Sequence, residues 1–150
     1  MTDSSASKLS PFGRSIRSDD IIDTLSFFDD WEERYKYIID LGRELPPMPD
    51  ALKTDERKIR GCQSQVWIDF EVRDGRLDMS VDSDAFIVKG LLAVVLAAYN
   101  HQTPQDVLAF DVERYFEQLD LLGHLSPARG NGLRAMVARI RAVAAEQSAG

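Results

Sequence analysis

Cysteine is almost absent from this chain of 150 residues, in which Cys62 is the only one. A single thiol has no partner for an intramolecular disulfide and too few cysteine neighbours for a zinc cage. The two histidines, His101 and His124, have no cysteine or histidine at ligand spacing, so no metal site is expected and both side chains are expected to be exposed to solvent. Cys62 is therefore expected to be either a reactive nucleophile or a buried small hydrophobe.

Long apolar runs and an excess of positive charge are also missing. The longest apolar run, GLLAVVLAAY, is about half the length that a bilayer-spanning helix needs, and the first residues, MTDSSASKLS, lack the apolar stretch of a secretory signal. The formal net charge of −7 disfavours attraction to the phosphate backbone of nucleic acid. We therefore expect a cytoplasmic protein, with neither membrane nor nucleic acid as a partner, and a free thiol agrees with that compartment.

The chain divides into a tail and one domain. Residues 1–17 are rich in serine and in small or charged residues and show no apolar period, so they are expected to be disordered. Residues 18–150 are expected to form a single domain with one hydrophobic core. No internal repeat is evident in the sequence.

Periodicity predicts an α+β fold, with a small antiparallel sheet of about three strands packed against several helices. A short helix is expected near Ser18, and apolar residues at helical spacing predict an amphipathic helix from Asp30 that ends before Pro46. The segment QVWIDFEVRDGRLDMSVD predicts two alternating strands joined by Asp74 and Gly75. Lys58 and Ile59 are expected to begin a third strand.

The second half of the chain is predicted to be helical. Apolar residues around the whole circumference of the segment after Ser83 predict a central, buried helix with Ser83 as its cap, and Lys89 within it is expected to snorkel or to pair with an acid. Thr103 with Pro104, and Ser126 with Pro127, predict two further helix starts.

The neighbours of Cys62 favour a loop rather than a dry core. Gly61 permits unusual backbone shapes, while Gln63, Ser64 and Gln65 are polar. Three upstream cations favour the reactive thiolate form, namely Arg57, Lys58 and Arg60. Cys62 nevertheless shares the parity of the apolar strand residues that follow it, so a thiol sheltered against an apolar wall is expected.

The segment GCQSQVW resembles the active-site signature of the SufE family, which includes the related CsdE proteins. Four further blocks are similar to that family in the same order, namely WEERYKYIIDLGRELP, SDAFIVKGLLAVV, TPQDVLAFD and HLSPARGNGL. The resemblance covers roughly residues 27–146. Proteins of this family are sulfur acceptors that work with cysteine desulfurases in iron–sulfur cluster assembly.

The resemblance implies that Cys62 takes persulfide sulfur from a SufS- or CsdA-like cysteine desulfurase, stimulates that enzyme and passes the sulfur on, for example to a cluster scaffold. It implies a covalent carrier of persulfide rather than a stand-alone enzyme, with no cofactor bound to this chain. One alternative is a noncovalent activator of the desulfurase with a structural cysteine. A stand-alone thiol peroxidase is a weaker alternative, because the sequence offers no evident general base or resolving cysteine.

Four other residues are candidates for supporting the cysteine loop or for binding the partner. Gly61, Gln63 and Ser64 belong to the same loop as Cys62, and Gln63 and Ser64 would help to hold it by backbone and side-chain hydrogen bonds. The resemblance also implies a role for Arg129, because the family carries an arginine near the start of its last helix. An ordinary cap or a surface ion pair remains the alternative for Arg129.

Overall fold

The structure, a computed structural model, describes residues 10–60 and 64–149. Within these ranges it contains six α-helices and one two-stranded antiparallel sheet, which confirms the predicted α+β class. In chain order the elements are α1 (Ser18–Ser26), α2 (Trp31–Gly42), β1 (Val66–Arg73), β2 (Arg76–Ser83), α3 (Phe86–Tyr99), α4 (Pro104–Ala109), α5 (Val112–Leu119) and α6 (Pro127–Ala149). Short 3-10 helices occupy Asp50–Leu52, Asp55–Arg57 and Leu122–His124.

Helix α3 forms the centre of the molecule, as its apolar circumference predicted. Nine of its residues are buried, from Gly90 to Ala97 and Tyr99. Helix α2 packs against it so closely that a Cβ added to Gly90 would lie 2.2 Å from the carbonyl oxygen of Ile38. The side chain of Asp30 caps α2 by accepting a hydrogen bond from the backbone N–H of Glu33, which confirms the predicted helix start.

The hairpin forms as the alternation predicted. Asp74 and Gly75 both have positive φ, which is the conformation of a two-residue turn that matches the twist of the strands. Strand β1 pairs with β2 in the register Val72↔Leu77 to Val66↔Ser83, so alternate residues of both strands face the core. Leu77, Met79 and Val81 are buried on that face, while Val72 at the far end is exposed.

The expected third strand is wrong, because the sheet within residues 10–60 and 64–149 has two strands. Lys58 and Ile59 do run antiparallel to β1, and the Ile59 N–H donates a 2.8 Å hydrogen bond to the Val66 carbonyl, but they form only an isolated bridge. The 3-10 helix Asp55–Arg57 precedes them directly and turns the backbone away from an extended shape.

The expected disordered tail over residues 1–17 does not hold for residues 10–17. Phe12 is fully buried in the core. Its carbonyl accepts a 3.0 Å hydrogen bond from the Asn100 side-chain amide, and Arg14 lies 3.4 Å from the carboxylate of Asp78. One large aromatic residue can anchor a segment that shows no apolar period, and this is why periodicity missed it. Residues 1–9 lie outside the described residues.

Of the three helix starts predicted in the second half of the chain, two are confirmed. The Thr103 hydroxyl accepts a hydrogen bond from the Asp106 N–H with Pro104 in the first turn, and the Ser126 hydroxyl accepts one from the Arg129 N–H. Ser83, however, is not the cap of α3: the cap position is Ala85, and the Ser83 hydroxyl accepts from the Ala85 N–H instead. Asp84 and Ala85 lie between the end of β2 and the first residue of α3, so the cap position falls two residues later than predicted.

Candidate functional site

A small apolar pocket is lined by Ser64, which lies two residues after Cys62, the only cysteine in the sequence. Its volume is about 30 Å³, which is room for a group the size of one or two water molecules. Its walls come from the start of β1, from α3 and from the first turns of α6. The lining residues are Ser64, Val66, Val88, Leu91, Leu92, Ala128, Arg129, Gly132, Leu133 and Met136.

The structure brings together two of the predicted site residues, Ser64 and Arg129, which are far apart in the sequence. Gly61, Cys62 and Gln63, the other three, lie outside the described residues. Ser64 follows them directly in the chain and contributes to one wall of the pocket. Arg129, in the first turn of α6, also lines the pocket, and it is the only charged residue among the described residues that do so.

Arg129 is positioned by the way in which α6 begins. The Ser126 hydroxyl caps the first turn of that helix, and the turn before it is anchored on α2. There the ring of His124 stacks on Trp31 with 4.0 Å between centroids, and the Tyr35 hydroxyl donates to the His124 carbonyl. His124 is exposed, as expected, although its ring also stacks on Trp31.

The guanidinium of Arg129 has no ion-pair partner within residues 10–60 and 64–149. An arginine held at the rim of an apolar pocket without a carboxylate partner can attract an anionic sulfur or an acidic group of another protein.

The charges upstream of the cysteine are arranged unevenly. Arg57 forms a 2.7 Å ion pair with Asp69, so its charge is largely neutralised. Lys58 and the exposed Arg60 form no ion pair with the described residues. The carbonyl of Lys58 accepts a 3.2 Å hydrogen bond from Arg139 on α6. Positive charge thus remains on the residues that precede the cysteine, as the sequence suggested, although Arg57 contributes little of it.

Gln65 connects the other end of the cysteine segment to the start of α3. The Gln65 N–H donates a 3.0 Å hydrogen bond to the Asp84 carboxylate, and the Asp84 N–H donates to the Gln65 carbonyl at 3.3 Å. This reciprocal pair fixes the backbone where the chain enters β1. Sequence reasoning did not identify Asp84, since an acid before a helix is usually only a helix-start signal.

The apolar walls of the pocket were also missed as a group, although each of their helices was predicted. On α6 the spacing of Arg129, Gly132, Leu133 and Met136 is the three- and four-residue spacing of one helix face. This spacing is the signal from which the part of the lining on α6 could have been predicted. The sequence cannot show that it meets Val88, Leu91 and Leu92 of α3, because this contact joins distant parts of the chain.

Other titratable residues lie in structural ion pairs. His101, expected to be exposed, is half-buried, with its Nδ1 atom 3.0 Å from Asp78 and 2.9 Å from Arg14. Lys89 lies 3.5 Å from Asp82, which confirms the expected pairing with an acid. Within residues 10–60 and 64–149, no three histidine, cysteine or acidic side chains are grouped closely enough to hold a metal ion. No helix in the same ranges is long and apolar enough to cross a membrane.

Comparison with known proteins agrees with this architecture. The fold is similar to the solution structure of a hypothetical protein from Thermus thermophilus, with a TM-score of 0.73 and 17% sequence identity. That match covers 95% of this chain and 99% of the other, and at this identity it speaks for the fold alone. The family model described as "SufE: Fe-S metabolism associated domain" matches residues 19–144. Since that match covers most of the chain, including the signature around Cys62 and all the lining of the apolar pocket, the protein belongs to the SufE family.

Proposed function

We propose that this protein accepts sulfur on Cys62 from a cysteine desulfurase, stimulates that enzyme and passes the sulfur to iron–sulfur cluster assembly. Membership of the SufE family supports the wider role in iron–sulfur metabolism. The partner would be a SufS- or CsdA-like desulfurase, and the next acceptor a protein such as a cluster scaffold. The reducing cytoplasm suits a carrier that depends on one free thiol.

The proposed reaction is a thiol exchange. The Cys62 thiolate attacks the outer sulfur of a persulfide on the donor cysteine. A new sulfur–sulfur bond forms on Cys62, the bond between the donor cysteine and its outer sulfur breaks, and the donor leaves as a thiolate. No electrons are exchanged with a third reactant, so the chain needs neither a metal nor an organic cofactor for this step.

The observation that carries the proposal is the apolar pocket lined by Ser64 and Arg129. Cys62 lies two residues before Ser64, and a step of two residues spans at most about 7 Å between Cα atoms, so the chain length would allow the thiol to reach the pocket. Its volume of about 30 Å³ suits a sulfur atom or a thiol, and its apolar walls would exclude water and oxidants from a persulfide.

The single cysteine also supports a carrier. A second thiol in the same chain would attack a persulfide and release its sulfur while forming an internal disulfide. Because this chain has one cysteine only, a loaded Cys62 must transfer its sulfur to another molecule.

Intact-mass spectrometry tests the proposal directly. The full chain is mixed with an active desulfurase, its pyridoxal phosphate and free cysteine. We expect one added sulfur atom on the chain, which reductant removes and peptide mapping assigns to Cys62. A chain that stays unmodified while the desulfurase is demonstrably turning over would refute the proposal.

The variant Cys62→Ser separates the carrier from the noncovalent activator. A carrier loses all sulfur acceptance, and its stimulation of multiple desulfurase turnovers falls with it. An activator with a structural cysteine keeps nearly full stimulation, provided that circular dichroism shows the variant to be folded. Peroxide consumption by the protein alone, without a desulfurase, would instead indicate a peroxidase.

We also propose that Arg129 favours the anionic form of the sulfur on Cys62, and that Gly61, Gln63 and Ser64 hold the segment in place. The variant Arg129→Gln keeps a polar side chain but removes the charge. If Arg129 favours the thiolate, alkylation of Cys62 by iodoacetamide in the free protein will be several-fold slower at pH 7 and equal at pH 10. If Arg129 only docks the desulfurase, alkylation will be unchanged and only the affinity for the enzyme will fall.

A further inference from the structure

The segment before α1 is held by the turn between α3 and α4. Phe12 is fully buried, and its carbonyl accepts a 3.0 Å hydrogen bond from the Asn100 side-chain amide. Gly13 packs so closely against Asn100 that an added Cβ would lie 1.9 Å from the Asn100 carbonyl oxygen. The Gln102 side-chain amide also donates to the Gly13 carbonyl, at 3.5 Å. Both residues of the turn thus hold residues 10–16, which we call the N-terminal hook.

His101, the middle residue of this turn, contacts one charged side chain of the hook and one of the hairpin. Its Nδ1 atom lies 2.9 Å from an Nη atom of Arg14 and 3.0 Å from a carboxylate oxygen of Asp78. The same two atoms of Arg14 and Asp78 lie 3.4 Å apart. The side chains of Arg14, His101 and Asp78 are 23%, 31% and 16% exposed, so water screens their charges only in part.

Two arginines of the hairpin also lie beside this group. Arg76 donates a 3.0 Å hydrogen bond to the His101 carbonyl, and the Nε atom of Arg73 lies 3.7 Å from the other carboxylate oxygen of Asp78. Arg73 is paired more closely with Glu71, at 2.6 Å. Among the described residues, Asp78 therefore supplies the only carboxylate in contact with the imidazole ring of His101.

The charge of the imidazole ring decides how strongly Arg14 is attracted to this place. While His101 is neutral, Arg14 faces the full negative charge of Asp78. When the ring takes up a proton from solvent, Asp78 is paired with a second cation, and Arg14 has a like charge 2.9 Å away. The attraction of Arg14 for the carboxylate is then largely cancelled, whichever ring nitrogen carried the hydrogen before.

We propose that His101 is a pH-sensitive latch on the N-terminal hook: the protonated ring competes with Arg14 for Asp78 and loosens the hook. Histidine side chains ordinarily change charge between pH 5 and 8, whereas aspartate and glutamate ordinarily stay ionised above about pH 5. The imidazolium still binds the turn to the hairpin through Asp78, so the loosening is confined to the hook. The latch does not depend on Cys62 or on sulfur transfer.

Amide hydrogen exchange of the full-length protein, followed by NMR at pH 7.5 and pH 5.5, tests the latch. The reporters are the N–H groups of Gly13 and Ile16, which donate 2.9 Å hydrogen bonds within the hook. The reference is the Leu77 N–H, which donates to the Gln102 carbonyl and therefore reports on the contact between turn and hairpin.

Protection is compared after correction for the intrinsic effect of pH on exchange. We expect protection at Gly13 and Ile16 to be about three- to fivefold lower at pH 5.5, as for the loss of a partly exposed ion pair. Protection at Leu77 should change less than about twofold. A hook that keeps its protection, or an equal loss of protection at Leu77, would overturn the proposal.

Three variants identify the groups that are responsible. His101→Asn removes the titrating ring and should abolish the pH response, and asparagine suits the positive φ of 60° at this position. Arg14→Gln should lower the protection of the hook already at pH 7.5 and should also abolish the response. His124→Gln removes the other histidine and should keep the full response. A response that survives in either of the first two variants, or that disappears in the third, would refute the proposal.

Discussion

Replacing Gly90 by alanine tests the close packing of α2 on α3, which places the walls of the apolar pocket. An added Cβ would lie 2.2 Å from the Ile38 carbonyl oxygen and 2.7 Å from the carbonyl carbon. Cβ atoms essentially never approach other atoms within 3.0 Å, so the clash requires a shift of roughly 0.8 Å. The obstacle is backbone, which cannot rotate away, and Gly42 of α2 also lies against the backbone of Gly90. The helices must therefore separate.

The size of the effect follows from two opposing contributions. Overpacking in a well-packed core costs about 1–3 kcal/mol, and an immovable backbone obstacle favours the upper end. Alanine gains about 1 kcal/mol over glycine within a helix. We therefore expect Gly90→Ala to lower the free energy of unfolding by about 2 kcal/mol, which corresponds to a Tm lower by about 4–8 °C for a chain of this size.

Urea unfolding followed by circular dichroism measures this change, with Gly130→Ala as the matched control. Gly130 also lies in a helix, but its added Cβ would meet only a Leu122 methyl at 3.9 Å. The control should be neutral or more stable by up to about 1 kcal/mol. If Gly90→Ala matched or exceeded the wild type in stability, the packing argument for the two helices would fail.

Two further substitutions probe regions that the sequence described poorly. Phe12→Ala should lower the free energy of unfolding by about 3–5 kcal/mol, because it empties a fully buried site. The control Phe27→Ala, at a residue that is 82% exposed, should change it by less than about 0.5 kcal/mol. Similar small losses for both variants would contradict the burial of Phe12. Lys53→Met removes the cation 2.9 Å from Asp82. Although partial burial by itself would raise the pKa of Asp82, the hydrogen bonds from Lys53 and from the Ser83 N–H lower it below its usual value. A lowered pKa in the fold means stabilisation that is present above the unfolded value near 4 and lost as the pH falls through the folded value. The urea midpoint of Lys53→Met should therefore lie below that of the wild type at pH 7, and the two midpoints should converge below about pH 3. If the difference between the two midpoints were independent of pH, the ion pair with Asp82 would not be the cause of the lost stability.

The local elements of the fold were determined by the sequence alone. The Asp74–Gly75 turn, the cap at Asp30 and the starts at Thr103 and Ser126 follow from chemistry within a few residues, and each lies where its residues predicted. Of the errors, one has a local cause and another depends on distant contacts. The third strand at Lys58 failed because the preceding 3-10 turn redirects the backbone, and residues 10–17 are ordered because Phe12 finds a place in a core made by other elements.

For the site, the sequence suggested the chemistry that we propose, and the tertiary structure decided its surroundings. One cysteine within GCQSQVW, in a chain that matches the SufE family, already pointed to sulfur chemistry. No local pattern shows that Arg129 and Ser64 line the same pocket, or that α3 and α6 both contribute to its walls. Such contacts depend on how helices that are far apart in the chain pack together. Packing depends on the shape of whole surfaces, whereas turns and caps depend on the few residues within them.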